Sequence, residues 1–297
     1  MEDIKLLTKN QIGVLYMVAS VACFSIMDIS IKWLNNYPFG EVLFFRFFIG
    51  LLPILLIIPK SDLRNFYKTS RPGLHAFRAI SGAIAIMSLF FALRNLPLAD
   101  VISLTFGGPI FVTVASILFL SEKVGFRRWS AVALGFLGML LIVKPAFTEL
   151  NYYYIFPIIF CFFFSCVAIS VRSLSSTEPN YRIAFYFTVL SMLIGLSTLS
   201  HGWVVPTFKD SLIFIVMGIC GSVANLLLTQ SYRLAEASLV TPIKYLSLVF
   251  AIFFGFTIWG EIPKVFTLLG AGLVVLSSFI IFVRENKLKK EIINPRV

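Results

Sequence analysis

Charged side chains interrupt the long apolar runs of this sequence at a few closely spaced positions. Asp28 and Lys32 are four residues apart, which would place them on one face of a helix, and Arg46 lies near the start of the next apolar run. A charge at the centre of a bilayer costs about 2.5–3.5 kcal/mol, so charged residues there usually face a partner or a polar cavity. Asp28 and Lys32 therefore either line a cavity or neutralise each other.

Arg46 is open to several interpretations. It could bind a solute carboxylate, gate access to a site, pair with Asp28 or Glu41, or extend from the helix end towards the membrane interface. Two amides in a later apolar run, Asn225 and Gln230, either line the same cavity or form hydrogen bonds between helices.

A cation and a phenol, Lys244 and Tyr245, follow Pro242 in another apolar run. Proline frees a backbone carbonyl and favours a kink, so we predict a hinge at Pro242 and a solute contact just after it. A buried cation beside a phenol suits a carboxylate or an aromatic ring. A second hinge is predicted at the break formed by Gly107, Gly108 and Pro109.

Other polar residues suggest structural or interfacial roles. Glu122 and Glu261 each end an apolar run, so we predict that they cap helices or pair with nearby basic residues. His75 and Arg78 stand at the start of the third run, where we expect them to contact phospholipid headgroups.

The sequence lacks the residue clusters that enzymes use. Its two histidines, His75 and His201, are predicted on opposite sides of the membrane, and no paired-carboxylate motif, metal-ligand spacing or Gly-x4-Gly-Lys-Ser/Thr phosphate loop occurs. The four cysteines stand in apolar runs, as packing residues do. We predict no enzymatic activity, no cofactor and no metal. The alternatives of a different class are an intramembrane lipid-modifying enzyme and a channel.

Composition places the chain in a membrane. Of its 297 residues 59% are apolar and 13% are charged, against about 25% charged in soluble domains. The net charge of +11 comes largely from short segments between apolar runs, where it indicates topology rather than nucleic-acid binding. We predict an all-α integral membrane protein whose runs each span a bilayer, at 13–34, 41–59, 74–95, 99–120, 128–145, 151–172, 181–201, 210–232, 238–259 and 265–283. The distribution of Lys and Arg predicts that both termini are cytoplasmic.

The chain also repeats itself at a shift of 139 or 140 residues. Residues 24–34 align with 164–174, and the further matches are Gly82 with Gly221, Arg94 with Arg233 and Glu122 with Glu261. We predict two repeats, 13–145 and 151–283, followed by a basic cytoplasmic tail, 284–297. Each repeat holds five crossings, so the second copy enters from the opposite side. Such inverted repeats are typical of secondary transporters, whose solute binds near the midplane.

Two five-helix repeats, a Leu96-Pro97-Leu98-Ala99 turn and the positions of Glu122 and Glu261 resemble the EamA-type members of the drug/metabolite transporter superfamily. Within that family the chain is similar to the group that includes the rickettsial S-adenosylmethionine transporters. That similarity lies in residues 41–48, in Thr69-Ser70-Arg71-Pro72 with His75 and Arg78, and in 242–246, where Lys244 replaces an expected Arg.

The resemblance implies a ten-helix secondary transporter of the bacterial cytoplasmic (inner) membrane. Its solute would be a small charged or zwitterionic metabolite, such as an amino acid or an S-adenosylmethionine-like molecule, moved by alternating access. Asp28 and Arg46 would then lie near the outer gate and Lys244 near the inner one. Expected partners are the solute and membrane lipids but no nucleic acid, and the chain would act as a monomer or homodimer. The alternatives of the same fold are an exporter of drugs or amphiphilic metabolites and a vitamin importer.

Overall fold

The structure, a computed structural model, describes residues 9–108, 110–112, 114, 126–149, 151–174, 177–235 and 241–293. Pro109 and Glu122 lie outside the described residues. Within them we label the α-helices in chain order: α1 Lys9–Trp33, α2 Phe39–Leu56, α3 Pro72–Asn95, α4 Leu98–Thr105, α5 Phe126–Glu149, α6 Ile155–Leu174, α7 Asn180–Leu196, α8 Phe208–Leu234, α9 Leu246–Trp259 and α10 Val265–Ile293.

Helix length and composition fit a bilayer. Among the described residues five helical segments are long and apolar enough to cross a membrane: Lys9–Asn36, Phe39–Leu56, Pro72–Asn95, Tyr152–Val171 and Phe208–Ser231. Shorter apolar helices lie at Leu98–Val112, Val132–Val143, Asn180–Leu196, Ile243–Trp259 and Val265–Ser277.

Proline sets where several helices begin. Pro38, Pro97 and Pro179 immediately precede α2, α4 and α7, and Pro72 is the first residue of α3. Proline is tolerated there because the first helical residues have no intrahelical acceptor for their N–H groups. The connections between these helices can therefore stay short and sharply bent.

Two predicted helices are interrupted. The run predicted at 99–120 leaves the α-helix after Thr105, turns at Phe106 and Gly107, and is helical again at 108, 110–112 and 114. The run predicted at 238–259 becomes α-helical only at Leu246, after a 3-10 segment over Thr241–Tyr245. Lys244 therefore lies in a tight 3-10 turn rather than in a kinked α-helix, a correction that follows from the tighter i,i+3 bonding of this segment.

Small residues set the spacing of the helices. The α1–α8 interface is joined by the hydroxyls of Ser20 and Ser231, which donate to the carbonyls of Ala224 and Gly13, each at 2.7 Å. Such contacts let helices approach closely where the lipid supplies no hydrophobic drive for association. The other principal packings are α3 on α6, α2 on α7 and α8, α5 on α10, and α4 on α9.

The backbones of α5 and α10 approach each other closely. A Cβ added at Gly138 would lie 2.7 Å from the carbonyl oxygen of Gly270, and one added at Gly270 would lie 2.5 Å from that of Gly138. These obstacles are backbone atoms, which cannot rotate away. The two helices therefore require glycine at both positions.

We predict that Gly270→Val lowers the thermal unfolding midpoint of the detergent-purified protein by several degrees, because α5 and α10 must separate. Gly272→Val on the same helix is the matched control, since a Cβ at Gly272 meets nothing within 4 Å. Equal midpoints for the two variants would contradict the assignment.

Candidate functional site

A narrow crevice with a carboxylate in its wall lies between α1, α4 and α9. We call it the Asp28 crevice; it contains about 180 Å³ of unfilled space, its open mouth included. Asp28 is only 8% exposed, and its Oδ1 atom has no hydrogen-bond partner among the described residues. Buried polar atoms are nearly always bonded, so such an oxygen indicates a missing partner. The lining residues are Ser25, Asp28, Ile29, Leu98, Ile102, Ser247, Phe250 and Ala251.

Arg46 brings a cation to the same region from α2. Its side chain is 5% exposed, its Nε donates to Met27 Sδ at 3.2 Å, and its Cζ lies 5.0 Å from the centre of the Phe47 ring. Against α8 the guanidinium fills the space beside Gly221, where a Cβ would lie 2.3 Å from Cζ. Arg46 is thus fully inside the bundle and does not extend to the interface.

Arg46 and Asp28 are close enough to attract each other electrostatically, yet they do not form an ion pair within 4.0 Å. Glu41, the other predicted partner, accepts instead from the backbone N–H of Val204 at 3.0 Å. The two opposite charges therefore stand near one another without neutralising each other directly.

Of the two alternatives for Asp28 and Lys32, the structure contradicts mutual neutralisation. Lys32 forms an ion pair with Glu261, donates to the carbonyl of Leu96 at 2.8 Å, and lies 5.2 Å from the ring centre of Trp259. Lys32 is next to the last residue of α1, so its long side chain reaches the connections beyond the helix. Asp28 lies one helical turn before Lys32 in α1 and is therefore not paired with it.

Glu261 is positioned by the end of α9. Gly260 adopts a left-handed conformation at φ 67°, and the N–H of Glu261 bonds back to the carbonyl of Gly255 at 3.0 Å. This reversal carries the carboxylate to Lys32 and to the N–H of Leu98, which donates at 2.8 Å. The sequence predicted that Glu261 caps a helix or pairs with a basic residue nearby in the chain. It accepts from the first N–H of α4, and its basic partner is Lys32 of the distant α1.

A second buried acid near this junction, Asp100, was missed by the sequence analysis. It is 4% exposed, accepts from the Thr267 hydroxyl at 2.7 Å and also bonds the Tyr154 hydroxyl. Its sequence signal was an acid in the first turn of a helix that begins after Pro97. Asp100 thereby links α4 to α10 and to the segment before α6.

Lys244 and Tyr245 lie away from the Asp28 crevice. The Tyr245 ring packs edge-on against Phe106 at 5.2 Å, and its hydroxyl is 3.4 Å from the carbonyl of Val275. Lys244 is half-buried and forms no ion pair with the described residues. Its link to the crevice is indirect: the hydroxyl of Ser247, a lining residue, donates to the Lys244 carbonyl at 2.8 Å.

Asn225 and Gln230 do not join the site either. Both side chains are exposed, and the Asn225 amide donates to the carbonyl of Gly221 in its own helix at 3.0 Å. Neither residue lines the Asp28 crevice, and the cavity-lining role suggested for them stays a prediction.

A further charge cluster joins the α2–α3 connection to the start of α7. Arg182 pairs with Asp62 at 3.2 Å and with Glu178 at 2.7 Å, and the Thr69 hydroxyl donates to Glu178 at 2.6 Å. Although desolvation opposes the shift, the bonds from Thr69 and Arg182 hold the pKa of Glu178 below its ordinary value. Glu178 is thus a charged, fully engaged acid.

His75 belongs beside this cluster and not among headgroups. It is 2% exposed, packs on the Tyr186 ring at 4.5 Å, and has its Nε2 3.9 Å from Glu178 Oε1. The headgroup contact predicted for His75 is therefore wrong, since α7 covers this face of α3. The same prediction for Arg78 is wrong too, because its Nε and Nη1 are buried and it lies over the Phe187 ring of α7 at 4.0 Å.

Comparison with known proteins agrees with this arrangement of helices. The model of the EamA-like transporter family matches the chain twice, over residues 11–144 and 151–283. The chain belongs to the EamA-like transporter family. With its apolar helices, this membership makes it a multi-pass membrane protein of the drug/metabolite transporter type.

Named relatives carry different solutes. The chain is 28% identical over 270 residues to the pseudopaline exporter CntI of Pseudomonas aeruginosa, covering 89% of this chain and 94% of that one. It is 26% identical to an S-adenosylmethionine uptake transporter of Rickettsia bellii (95% and 97% covered) and 27% identical to a riboflavin transporter of Rhizobium johnstonii (94% and 93%). A crystal structure at 17% identity shares the fold, with a TM-score of 0.61 over 93% of this chain and 98% of that one.

We predict that Lys32→Met and Glu261→Gln each lower the thermal unfolding midpoint, and that the double variant loses little more than either single one. Removing one partner leaves a charge or its acceptors unpaired, and residues in one network are not additive. Lys60→Met, an exposed lysine, controls for loss of charge. Strict additivity of the two losses would show that the pair contributes no coupling.

Proposed function

We propose that this EamA-like protein is a secondary transporter of a small charged or zwitterionic organic metabolite, such as an amino acid or an S-adenosylmethionine-like molecule. The observation that carries the proposal is the buried Asp28 carboxylate, unbonded at Oδ1, in a crevice close to the unpaired Arg46. Opposite charges held apart in an apolar bundle suit a solute that has opposite charges of its own. Its cationic end would meet Asp28 and its carboxylate would meet Arg46, which offers a fork of donors.

The size of the crevice supports a mechanism in which helices move. Ligand sites usually measure about 300–1,000 Å³, whereas the Asp28 crevice is too narrow to hold even a water-sized sphere. A metabolite would therefore enter only when α4 or α9 shifts away from α1. The proposed hinges, at Gly107, Gly108 and Pro109 and at Pro242, flank these two helices.

Alternating access would follow from two inverted repeats, 13–145 and 151–283. Each helix of the first repeat has a counterpart five helices later, and the helix contacts are related in the same way. The contact of α1 with α8 corresponds to that of α6 with α3, and the contact of α2 with α8 corresponds to that of α7 with α3. If the two repeats adopt different conformations and then exchange them, the site would open to each side of the membrane in turn. In this arrangement both termini are cytoplasmic, the membrane is the bacterial inner membrane, and a single chain can complete the cycle.

The relatives support transport and leave the solute class open. An exporter of amphiphilic metabolites and a vitamin importer share this fold, and the matched proteins include both an exporter and a riboflavin transporter. The separate, opposite charges of Asp28 and Arg46 favour a zwitterion over a neutral vitamin. The proposed transport cycle requires no cofactor, metal or enzymatic step.

We predict accelerated, saturable counterflow in proteoliposomes preloaded with unlabelled S-adenosylmethionine or with a pool of amino acids and supplied with the labelled solute. Asp28→Asn should lower the initial rate at least tenfold, because the amide cannot neutralise a cationic solute. Asp210→Asn is the matched control, since Asp210 lies in the first turn of α8, which Thr207 caps, and an amide oxygen there can still accept from the Tyr37 and Thr207 hydroxyls. If both variants retained wild-type rates, Asp28 would have no part in binding.

Lys244 is proposed to contact the solute from the inner side, next to Tyr245. We predict that Lys244→Met lowers counterflow severalfold with an unchanged unfolding midpoint, while Lys60→Met, which also removes a lysine charge, leaves the rate unaltered. Counterflow and affinity at wild-type levels in a folded Lys244→Met protein would remove this residue from the site.

A further inference from the structure

A row of four side chains runs through the centre of the bundle, from α2 across α7 to α3. Arg46 lies over the ring of Phe47 at 5.0 Å, and Phe47 meets Phe187 edge-on at 5.1 Å and an interplanar angle of 83°. Arg78 lies over the Phe187 ring at 4.0 Å. We call this the Arg–Phe row; it has a guanidinium at each end and two phenyl rings between them.

The two rings occupy the middle of their helices. Phe47 is the ninth of the 18 residues of α2, and Phe187 is the eighth of the 17 residues of α7. They are also 140 residues apart, the same shift that aligns Phe24 with Phe164. The ring pair thus lies near the midplane, at the place where the two proposed repeats meet.

Neither guanidinium has a carboxylate partner. Among the described residues no carboxylate lies within 4.0 Å of Arg46 or Arg78, and the buried Nε and Nη1 atoms of Arg78 have no hydrogen bond. Glu178, the acid nearest this end of α3, is bonded to Thr69 and Arg182. Contact with an aromatic face attracts a cation but accepts none of its directed hydrogen bonds.

Glycine makes room for both groups. A Cβ at Gly221 would strike the Arg46 guanidinium, and a Cβ at Gly82 would lie 2.8 Å from Arg78 Nη1 and 2.6 Å from the Phe187 ring. These glycines align with each other in the internal repeat. The bundle thus accommodates, beside two equivalent glycines, two guanidinium groups that have no carboxylate partner among the described residues. The buried, unbonded donors of Arg78 are costly.

We propose that Arg46 and Arg78 are two anion-binding groups on opposite sides of the Phe47–Phe187 pair, and that the carboxylate of the solute engages both during transport. The proposal rests on the carrier function above and adds Arg78, which lies outside the Asp28 crevice. A carboxylate supplies the bidentate acceptors that each guanidinium lacks. The edge-on rings lie directly between the two groups, so they must separate for the anion to pass.

The test uses the full-length protein in detergent with acetate as the probe. We expect 100 mM sodium acetate, compared with sodium chloride at equal ionic strength, to raise the unfolding midpoint of the wild type by about one to two degrees. A shift of this size is expected for a ligand that binds weakly, with a dissociation constant between millimolar and molar. Arg46→Gln and Arg78→Gln should each lose this acetate response. Arg71→Gln, an exposed arginine near the start of α3, should retain it.

A second readout separates binding from a structural role. Arg78→Lys keeps the charge without the fork, so it should retain part of the acetate response, and Arg78→Gln should lower counterflow at least tenfold. An acetate response equal in all variants would overturn the proposal, as would failure of both Arg78 variants to fold. A wild type that responds to acetate through these arginines but carries none of the tested solutes would instead count against the carrier function.

Discussion

The ion pair between Lys32 and Glu261 joins three elements of the fold: the end of α1, the start of α4 and the α9–α10 connection. This ion pair also determines which buried charges have no partner. Because Lys32 is engaged at the helix end, Asp28 has no cation of its own helix to neutralise it. The acids Glu41 and Glu178 are likewise engaged, by Val204 and by Thr69 and Arg182.

The outcome is a separation of charges by depth. Acids near the helix ends are bonded to backbone groups, hydroxyls or basic residues. In the part of the chain that the structure describes, Asp28, Arg46 and Arg78 have no ion partner in the interior. In an apolar medium such groups are tolerated when a ligand or water completes them. A carrier needs this condition, because a site whose charges were already paired would have nothing to offer an incoming zwitterion.

The sequence predicted the membrane class, the family and most helix positions because these depend on composition and on runs about 20 residues long. It also identified Asp28 and Arg46 as intramembrane charges. It did not predict which residues these charged side chains contact. The pairing of Asp28 with Lys32 followed from helix spacing alone. In the folded chain Lys32 instead bonds Glu261, which is 229 residues away from it in the sequence. Asp100 was missed for the same reason, since its partners Tyr154 and Thr267 come from distant elements. The start of α9 was misplaced because a 3-10 turn and an α-helix share the same apolar composition.

Gly221 has a consequence for how such a protein can diverge. The guanidinium of Arg46 occupies the volume that any other side chain at position 221 would need. Because the guanidinium is the far end of a flexible side chain, a residue larger than glycine at position 221 would displace it rather than clash with fixed backbone. A single change on α8 could therefore move the charge of Arg46 away from the Phe47 ring while the arginine itself is kept.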